Sequence, residues 1–315
     1  MRKWIVAALL TICASTAAMA NQTIATVQLP CKSGSQELSP TGSQLVVQCK
    51  DASLYLVDVP HGTAQNIVPA KSGQNFFAYS PDGQWVAVGF NDGSVSVFSS
   101  QAKVPAKHWT ADSHRIDLLY FFPDSRSLFV GPVDSPGTVW DVVSTPTQVA
   151  TLPVDFGGID ACAVSPDGRL LVAAGDDTMI RWYDTATWKL TRQNRDFLLE
   201  TFALAFTLDG KELLAGGADG RLTIFDAASG KQLRQTQPEA GSSVFMLSVL
   251  GPPRVVTVYF DNAGGKPPHL LLWDIATATS TSLKFDSMPT CGGAVGNKLW
   301  ACTTEGKTLT ISQRE

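Results

Sequence analysis

Ionisable side chains at turn positions are the residues of this sequence that could carry chemistry. Asp92, Asp177 and Asp219 each follow an apolar run, and carboxylates gathered in one loop could bind calcium. Asp177 and Asp219 lie 42 residues apart, so they belong to separate units and no single loop supplies enough oxygen ligands. We therefore interpret these aspartates as turn caps, whose side chains accept hydrogen bonds from backbone amides.

Other catalytic and metal-binding patterns are missing from the sequence. The histidines have no second histidine or carboxylate at ligand spacing; they are His61, His108, His114 and His269. There is no Cys-x-x-Cys pair, no glycine-rich phosphate loop and no Gly-x-Ser-x-Gly elbow. We expect neither a metal nor a cofactor, and no enzyme activity.

A repeated phrase organises the elements around these residues. The phrase Ser-Pro-Asp-Gly begins at Ser80 and again at Ser165, and a variant, Thr-Leu-Asp-Gly, begins at Thr207. Each copy is followed by an apolar run, a tight turn and an alternating strand. A period of about 42 residues built from short strands and Gly/Asp turns predicts an all-β fold, a β-propeller.

The number of units follows from the turn between the first two strands of each one. The anchor residues of these turns are Pro40, Pro81, Pro123, Pro166 and Leu208. Two degenerate units follow, so we predict a seven-bladed β-propeller of four-stranded antiparallel blades. The last unit has no residues left for a fourth strand, whereas residues 23–28 look like a strand. We expect this N-terminal strand to close the ring as the outer strand of the last blade.

Residues 1–20 are predicted to be a secretory signal peptide, and residues 21–315 the propeller. Arg2 and Lys3 precede an apolar stretch, and Ala18-Met19-Ala20 forms a cleavage site. The stretch is too short for a permanent anchor, so we expect no integral membrane segment. A signal of this length is typical of bacteria, which predicts a periplasmic or secreted protein.

Charge argues against nucleic acid as a partner. Without the signal peptide, the chain has 22 basic and 28 acidic residues, a formal charge of −6. Phosphate binding depends on clustered lysine and arginine, and no such cluster is present. The same acidic balance argues against anionic membrane surfaces.

Five cysteines remain after the signal peptide, and an oxidising compartment permits disulfides. Cys291 and Cys302 lie symmetrically about Gly296-Asn297, a two-residue hairpin signal, so we expect them to face each other and pair. Cys31 and Cys49 lie similarly about the turn at residues 39–42 and form the second predicted pair. Cys162 is left as a buried thiol.

Several strand endings resemble the motif that names the WD-repeat family. They are Trp140-Asp141, Trp182-Tyr183-Asp184, Phe225-Asp226 and Trp273-Asp274. The chain is similar to a divergent, exported bacterial branch of that family, which implies a rigid docking platform without catalysis. Typical members carry a Gly-His pair before the first strand, which is absent here, so the family's buried Asp–His–Ser–Trp network is expected to be incomplete.

The resemblance and the loops together predict a protein or peptide partner. The connections between blades and the turns between second and third strands share one face of a propeller, where binding residues collect. The candidate partner-binding residues on that face are His114, Arg115, Asp155, Phe156, Arg195, Phe197, Lys266 and His269. We expect a monomeric scaffold; the alternative is a propeller enzyme or a small-ligand-binding protein with a site at the central channel.

Overall fold

The fold is a ring of antiparallel sheets, each made of short strands joined by tight turns. A computed structural model describes residues 22–70, 76–100, 105–152, 158–175, 177–195, 200–236, 241–251, 253–261, 269–283, 289–295, 298–305 and 307–314. Within these residues, 28 strands form seven four-stranded sheets, which we number as blades 1 to 7. In each blade the strands are called a to d from the channel outward. No helix long and apolar enough to cross a membrane occurs in this part of the chain.

Six of the sheets consist of four strands that are consecutive in the sequence. Blade 1 contains β2 (Ser33–Leu38), β3 (Gln44–Cys49), β4 (Leu54–Asp58) and β5 (Thr63–Val68); blade 2 contains β6 (Phe76–Tyr79), β7 (Trp85–Gly89), β8 (Ser94–Ser99) and β9 (Pro105–Thr110); blade 3 contains β10 (Ile116–Phe121), β11 (Ser127–Pro132), β12 (Gly137–Asp141) and β13 (Thr147–Leu152). Blade 4 contains β14 (Ile159–Val164), β15 (Leu170–Gly175), β16 (Ile180–Asp184) and β17 (Lys189–Asn194); blade 5 contains β18 (Thr201–Phe206), β19 (Glu212–Gly217), β20 (Leu222–Asp226) and β21 (Gln232–Thr236); blade 6 contains β22 (Ser242–Gly251), β23 (Arg254–Asp261), β24 (His269–Asp274) and β25 (Thr279–Leu283).

The seventh sheet joins the two ends of the described chain. It contains β26 (Pro289–Val295), β27 (Lys298–Glu305) and β28 (Thr308–Arg314), and its outer strand is β1 (Gln22–Gln28). The pairing of β1 with β28 is antiparallel and runs from Gln22 opposite Gln313 to Gln28 opposite Thr308. This sheet is therefore composite, in contrast to the other six.

The expectation that the N-terminal strand closes the ring needs a correction. Strand pairing stays within each sheet, so β1 completes the last sheet but makes no hydrogen-bonded ladder to blade 1. Apolar packing closes the ring instead: Val27 and Leu29 pack with Leu309 and with Leu45 and Val47 of blade 1 in one buried cluster. The reason is geometric, because neighbouring blades meet face to face and present side chains to each other rather than backbone edges.

Two faces of the ring follow from this topology. The loop face carries the connections from strand d to the next strand a and the turns from strand b to strand c. The opposite face, which we call the turn face, carries the a–b turns of the repeated phrase. Strand a of each blade contacts strand a of the next around the whole ring, so these strands line the central channel.

Candidate functional site

The first two candidate residues lie on the loop face, in the connection between blades 2 and 3. His114 Nδ1 lies 2.7 Å from Asp112 Oδ1 and 3.0 Å from Ser135 Oγ. Arg115 donates two hydrogen bonds of 2.6 Å to the carboxylate of Asp117, one from Nε and one from Nη2. Both side chains remain about half exposed, so they are accessible to a partner.

Arg195 and His269, the other predicted site residues that the structure describes, contact other partners. Arg195 follows β17, two connections further along the ring, and its Nε lies 3.3 Å from Met179 Sδ. His269 begins β24 and stacks on Tyr259, with ring centroids 5.5 Å apart and an interplanar angle of 15°. The remaining candidates lie outside the described residues; they are Asp155, Phe156, Phe197 and Lys266.

The repeated aspartates act as turn caps, which confirms their interpretation from sequence. Asp92 Oδ1 accepts hydrogen bonds from the backbone amide and the hydroxyl of Ser94. Asp177 and Asp219 accept from the amides two residues further along, at 3.0 Å in both cases. Among the described residues, no group of three or more His, Cys, Asp or Glu side chains could hold a metal ion.

A feature that sequence analysis missed recurs at the loop-face end of strand a. In blades 3 to 6, the register with strand b shifts by one residue and leaves one residue of strand a unpaired, a β-bulge. The bulged residues are Asp117, Asp160, Phe202 and Phe245. Bulges commonly redirect a side chain next to a binding site. Here they place four side chains around the loop-face mouth of the channel.

Two of these side chains form a partly exposed aromatic pair. The rings of Phe202 and Phe245 stack across blades 5 and 6, with centroids 4.8 Å apart and planes 18° from parallel. Phe245 is 45% exposed, and the adjacent Met246 is 49% exposed. We call Phe202, Phe245 and Met246 the channel-mouth patch. It is an apolar surface on the same face as His114 and Arg115.

The channel mouth carries two acidic side chains in blades 3 and 4. Asp117 and Asp160 occupy the bulges of blades 3 and 4. Asp117 is held by Arg115, and Asp160 is exposed. These two carboxylates come from two neighbouring blades.

A half-buried acid lies at the junction of blades 1 and 2. Glu37, on β2, accepts a 3.3 Å hydrogen bond from the backbone amide of Tyr79. Burial disfavours the ionised carboxylate and raises the pKa of Glu37 to about 7, although the Tyr79 amide acts in the opposite direction. The pKa of the Tyr79 hydroxyl is raised as well, chiefly by burial and secondarily by the nearby Glu37.

This acid predicts a pH-dependent stability. A carboxyl group whose pKa is raised from 4.5 to about 7 on folding favours the native state below pH 4.5, and that advantage is lost as pH rises towards 7. We expect Glu37→Gln to stabilise the protein at pH 8 by on the order of 2 kcal/mol and to have little effect at pH 4. Urea unfolding at both pH values measures the difference. As a control, Glu200→Gln changes an exposed acid and should have the stability of the wild type at both pH values. If Glu37→Gln also has the stability of the wild type at pH 8, the prediction is wrong.

The cysteines stabilise the loop face near the closing strand. Cys31 and Cys49 form a disulfide with Cα atoms 5.8 Å apart, which links the connection after β1 to the end of strand b in blade 1. Cys302 is also disulfide-bonded, and the backbone of Cys291 lies directly opposite it. The Cys291 side chain lies outside the described residues. Cys162 is a buried free thiol, and burial raises its pKa.

Comparison with known families supports this architecture. Residues 66–99 and 146–184 match the WD domain, G-beta repeat. Each segment runs from strand d of one blade to the end of strand c in the next. Each therefore contains one copy of the repeated phrase Ser-Pro-Asp-Gly. These two segments are similar to WD repeats, and they lie in a chain that folds as a β-propeller.

Curated proteins with similar sequences match this chain over about half of its length or less. It is 27% identical over 158 residues to the 66 kDa stress protein of Physarum polycephalum, covering 49% of this chain and 25% of that protein. It is 23% identical over 157 residues to WD repeat-containing protein SL1-17 of Schistosoma mansoni, covering 50% of this chain and 52% of that protein. The chain thus spans about half or less of the length of these relatives.

Solved structures match the propeller along nearly its whole length. A chain from the crystal structure of a mitotic checkpoint complex superposes with a TM-score of 0.77 at 16% identity, covering 93% of this chain and 95% of that chain. The Cps50 (Swd1) β-propeller domain of Myceliophteria thermophila gives a TM-score of 0.76 at 13% identity, with coverages of 93% and 99%. At these identities the likeness establishes the fold alone.

The hydrogen-bond network of typical WD repeats is partly present. Trp273 Nε1 donates a buried 3.1 Å hydrogen bond to Thr257 Oγ1, which connects strands c and b of blade 6. His114 bonds to Asp112 in its own connection, however, and not to the aspartate of a b–c turn. Local aspartate caps replace the missing histidine contacts in the turns at Asp92, Asp177 and Asp219.

Proposed function

We propose that this WD-repeat propeller is an exported, non-enzymatic scaffold that holds a protein or peptide partner on its loop face. The channel-mouth patch is the observation that carries the proposal. WD-repeat propellers commonly act as protein-interaction scaffolds. A partly exposed aromatic stack on a rigid sheet is the kind of surface that a partner covers, because water contact with it is unfavourable.

The composition around the patch suits a protein interface. Aromatic and arginine side chains dominate interface energetics, and single anchors often contribute about 2 kcal/mol or more. Phe202 and Phe245 supply the apolar centre, whereas His114 and Arg115 supply polar groups on the same face. The bulged strands hold the two rings in place before binding, so little conformational entropy is lost on association.

Export is supported by the N-terminal sequence and by the disulfides. Cys31–Cys49 and the bonded Cys302 suit an oxidising compartment. Export predicts that the protein isolated from the periplasm or the medium begins at Asn21. N-terminal sequencing measures this directly; a cytoplasmic protein that retains Met1 would contradict it.

Partner binding is tested by removing the exposed apolar side chains. We expect Phe245→Ser with Met246→Ser to weaken partner capture by more than about 30-fold, the loss of about 2 kcal/mol. The measurement is crosslinking in intact cells with a C-terminally tagged protein, followed by mass spectrometry. Arg115→Glu with Arg195→Glu should also reduce capture without changing stability.

A matched control separates the loop face from general apolar exposure. Val143→Ser with Leu190→Ser removes two side chains that are 59% and 46% exposed but lie on the outer part of blades 3 and 4. This variant should capture the same partner as the wild type. Equal capture by the patch variant and by this control would place the partner elsewhere and reject the proposal.

A further inference from the structure

A cavity of about 400 Å³ lies at the turn-face end of the central channel. Strand a of blades 3 to 6 lines it, together with prolines of three a–b turns, Pro81, Pro123 and Pro166. The lining side chains are apolar apart from Tyr120. Because the channel-mouth patch is at the opposite end of strand a, this cavity is separate from the proposed partner surface.

Backbone amides of the inner strands point into this part of the channel. Strand a is the edge of each sheet, and ladder hydrogen bonds alternate along an antiparallel pair. Phe122 donates to the carbonyl of Ser127, so the preceding amide, that of Phe121, turns away from strand b and towards the channel. The same alternation turns inward the amides of Tyr79, Val164 and Phe206. Val249 holds the corresponding position in blade 6, where it pairs with Val255 as Phe206 pairs with Leu213.

Two inward amides are capped by an oxygen atom from the preceding blade. Glu37 Oε1 accepts from the Tyr79 amide, and the hydroxyl oxygen of Tyr120 accepts from the Val164 amide. Glu37 and Tyr120 occupy equivalent positions, one residue before the inward-facing residue of their own strand. These two inward amides thus have an oxygen partner on the preceding blade.

Three further junctions have alanine at the equivalent position. These residues are Ala78, Ala163 and Ala205, and they precede the blades that contain Phe121, Phe206 and Val249. A methyl group cannot accept a hydrogen bond. The preceding blade therefore offers these three amides no side-chain oxygen at this position, and Phe121, Phe206 and Val249 all line the cavity.

We propose that this cavity binds one small, uncharged, largely apolar molecule that carries a carbonyl oxygen. No charged side chain lines the cavity, so an ionised ligand would be buried without a counter-charge. The apolar walls favour a hydrocarbon group, and the amides of Phe121, Phe206 and Val249 supply donors for the oxygen. A volume of about 400 Å³ is within the range of small-molecule sites.

Acetophenone is a suitable probe, because its phenyl ring matches the walls and its ketone oxygen matches the amides. Titration into the ¹⁵N-labelled chain should shift the amide resonances of Phe121, Phe206 and Val249. The amide of Tyr79 lies outside the cavity lining and already donates a hydrogen bond to Glu37, so its resonance should not shift. No shift of the three cavity amides at the solubility limit of acetophenone would overturn the proposal.

Two comparisons test the chemistry of the ligand. Ethylbenzene has the same ring without the oxygen, and the loss of one hydrogen bond should weaken binding about fivefold. Benzoate has the oxygen but is ionised at neutral pH, and it should not bind. Equal affinities for ethylbenzene and acetophenone would reject the role of the amides, and tight binding of benzoate would reject the requirement for an uncharged ligand.

A pair of variants tests the location. Ala205→Phe fills the cavity and should weaken acetophenone binding about tenfold or more. Ala64→Phe adds the same bulk at an exposed position of β5 and should leave binding unchanged. Should Ala205→Phe fail to fold, Leu247→Phe fills the same cavity from β22. Equal binding by the folded cavity variant and the Ala64→Phe control would overturn the proposal.

Discussion

Deleting residues 21–29 should lower the melting temperature of the propeller by more than about 10 °C. The deletion removes β1, which pairs with β28 along its whole length. It also removes Val27 and Leu29, which are buried in the cluster that joins blades 7 and 1. Burying two such side chains contributes about 3 to 6 kcal/mol, and the lost ladder hydrogen bonds add to this. Thermal unfolding followed by circular dichroism measures the effect.

Substitutions within the same strand show whether the buried side chains are responsible. Val27→Ser with Leu29→Ser should reproduce most of the loss. Thr26→Ser with Gln28→Ser changes the same strand at exposed positions and should melt within a few degrees of the wild type. If the deleted chain melts at the wild-type temperature, β1 does not hold blades 7 and 1 together.

Replacing Cys31 and Cys49 by serine should cost about 3 kcal/mol, or about 6 °C in melting temperature. The disulfide spans a sequence separation of 18 residues, and opening it restores conformational freedom to the unfolded chain. It also joins the connection after β1 to blade 1, so its loss loosens the junction where the ring closes. Differential scanning calorimetry without reductant compares the double variant with the wild type.

Reductant provides the control for the disulfide. Cys302 is also disulfide-bonded, so dithiothreitol should lower the melting temperature of the double variant as well. The decrease should be larger in the wild type, because the wild type loses the Cys31–Cys49 bond in addition. Equal decreases in the two proteins would mean that this bond contributes nothing measurable.

The repeated turns made much of the fold predictable from sequence. The Ser80 hydroxyl donates a hydrogen bond to Asp82, and the Ser165 hydroxyl donates one to Asp167. The geometry of each turn therefore depends on residues that are close in the sequence. The caps at Asp92 and Asp177 are local for the same reason. Packing between blades is not local, so how the ring is held at the junction of blades 7 and 1 could not be predicted from sequence.

The site was harder to predict because it depends on bulges and on contacts between blades. Phe202 and Phe245 lie 43 residues apart, and each resembles an ordinary core residue of an apolar strand. The register shift at each position redirects the side chain, and the two rings then contact each other at the channel mouth. Glu37 likewise lies in a polar stretch that looks like an exposed strand, and its burial is a consequence of blade 2.

The pairing of β1 with β28 also determines when the protein can finish folding. Gln28 and Thr308 hydrogen-bond across a separation of 280 residues. At a synthesis rate of about 5 to 20 residues per second, the first strand waits roughly 15 to 60 s for its partner. Throughout that interval its edge and its apolar residues can pair with other chains. A nascent chain of this design therefore depends on protection of its first strand, and the segment made first is the last to reach its native position.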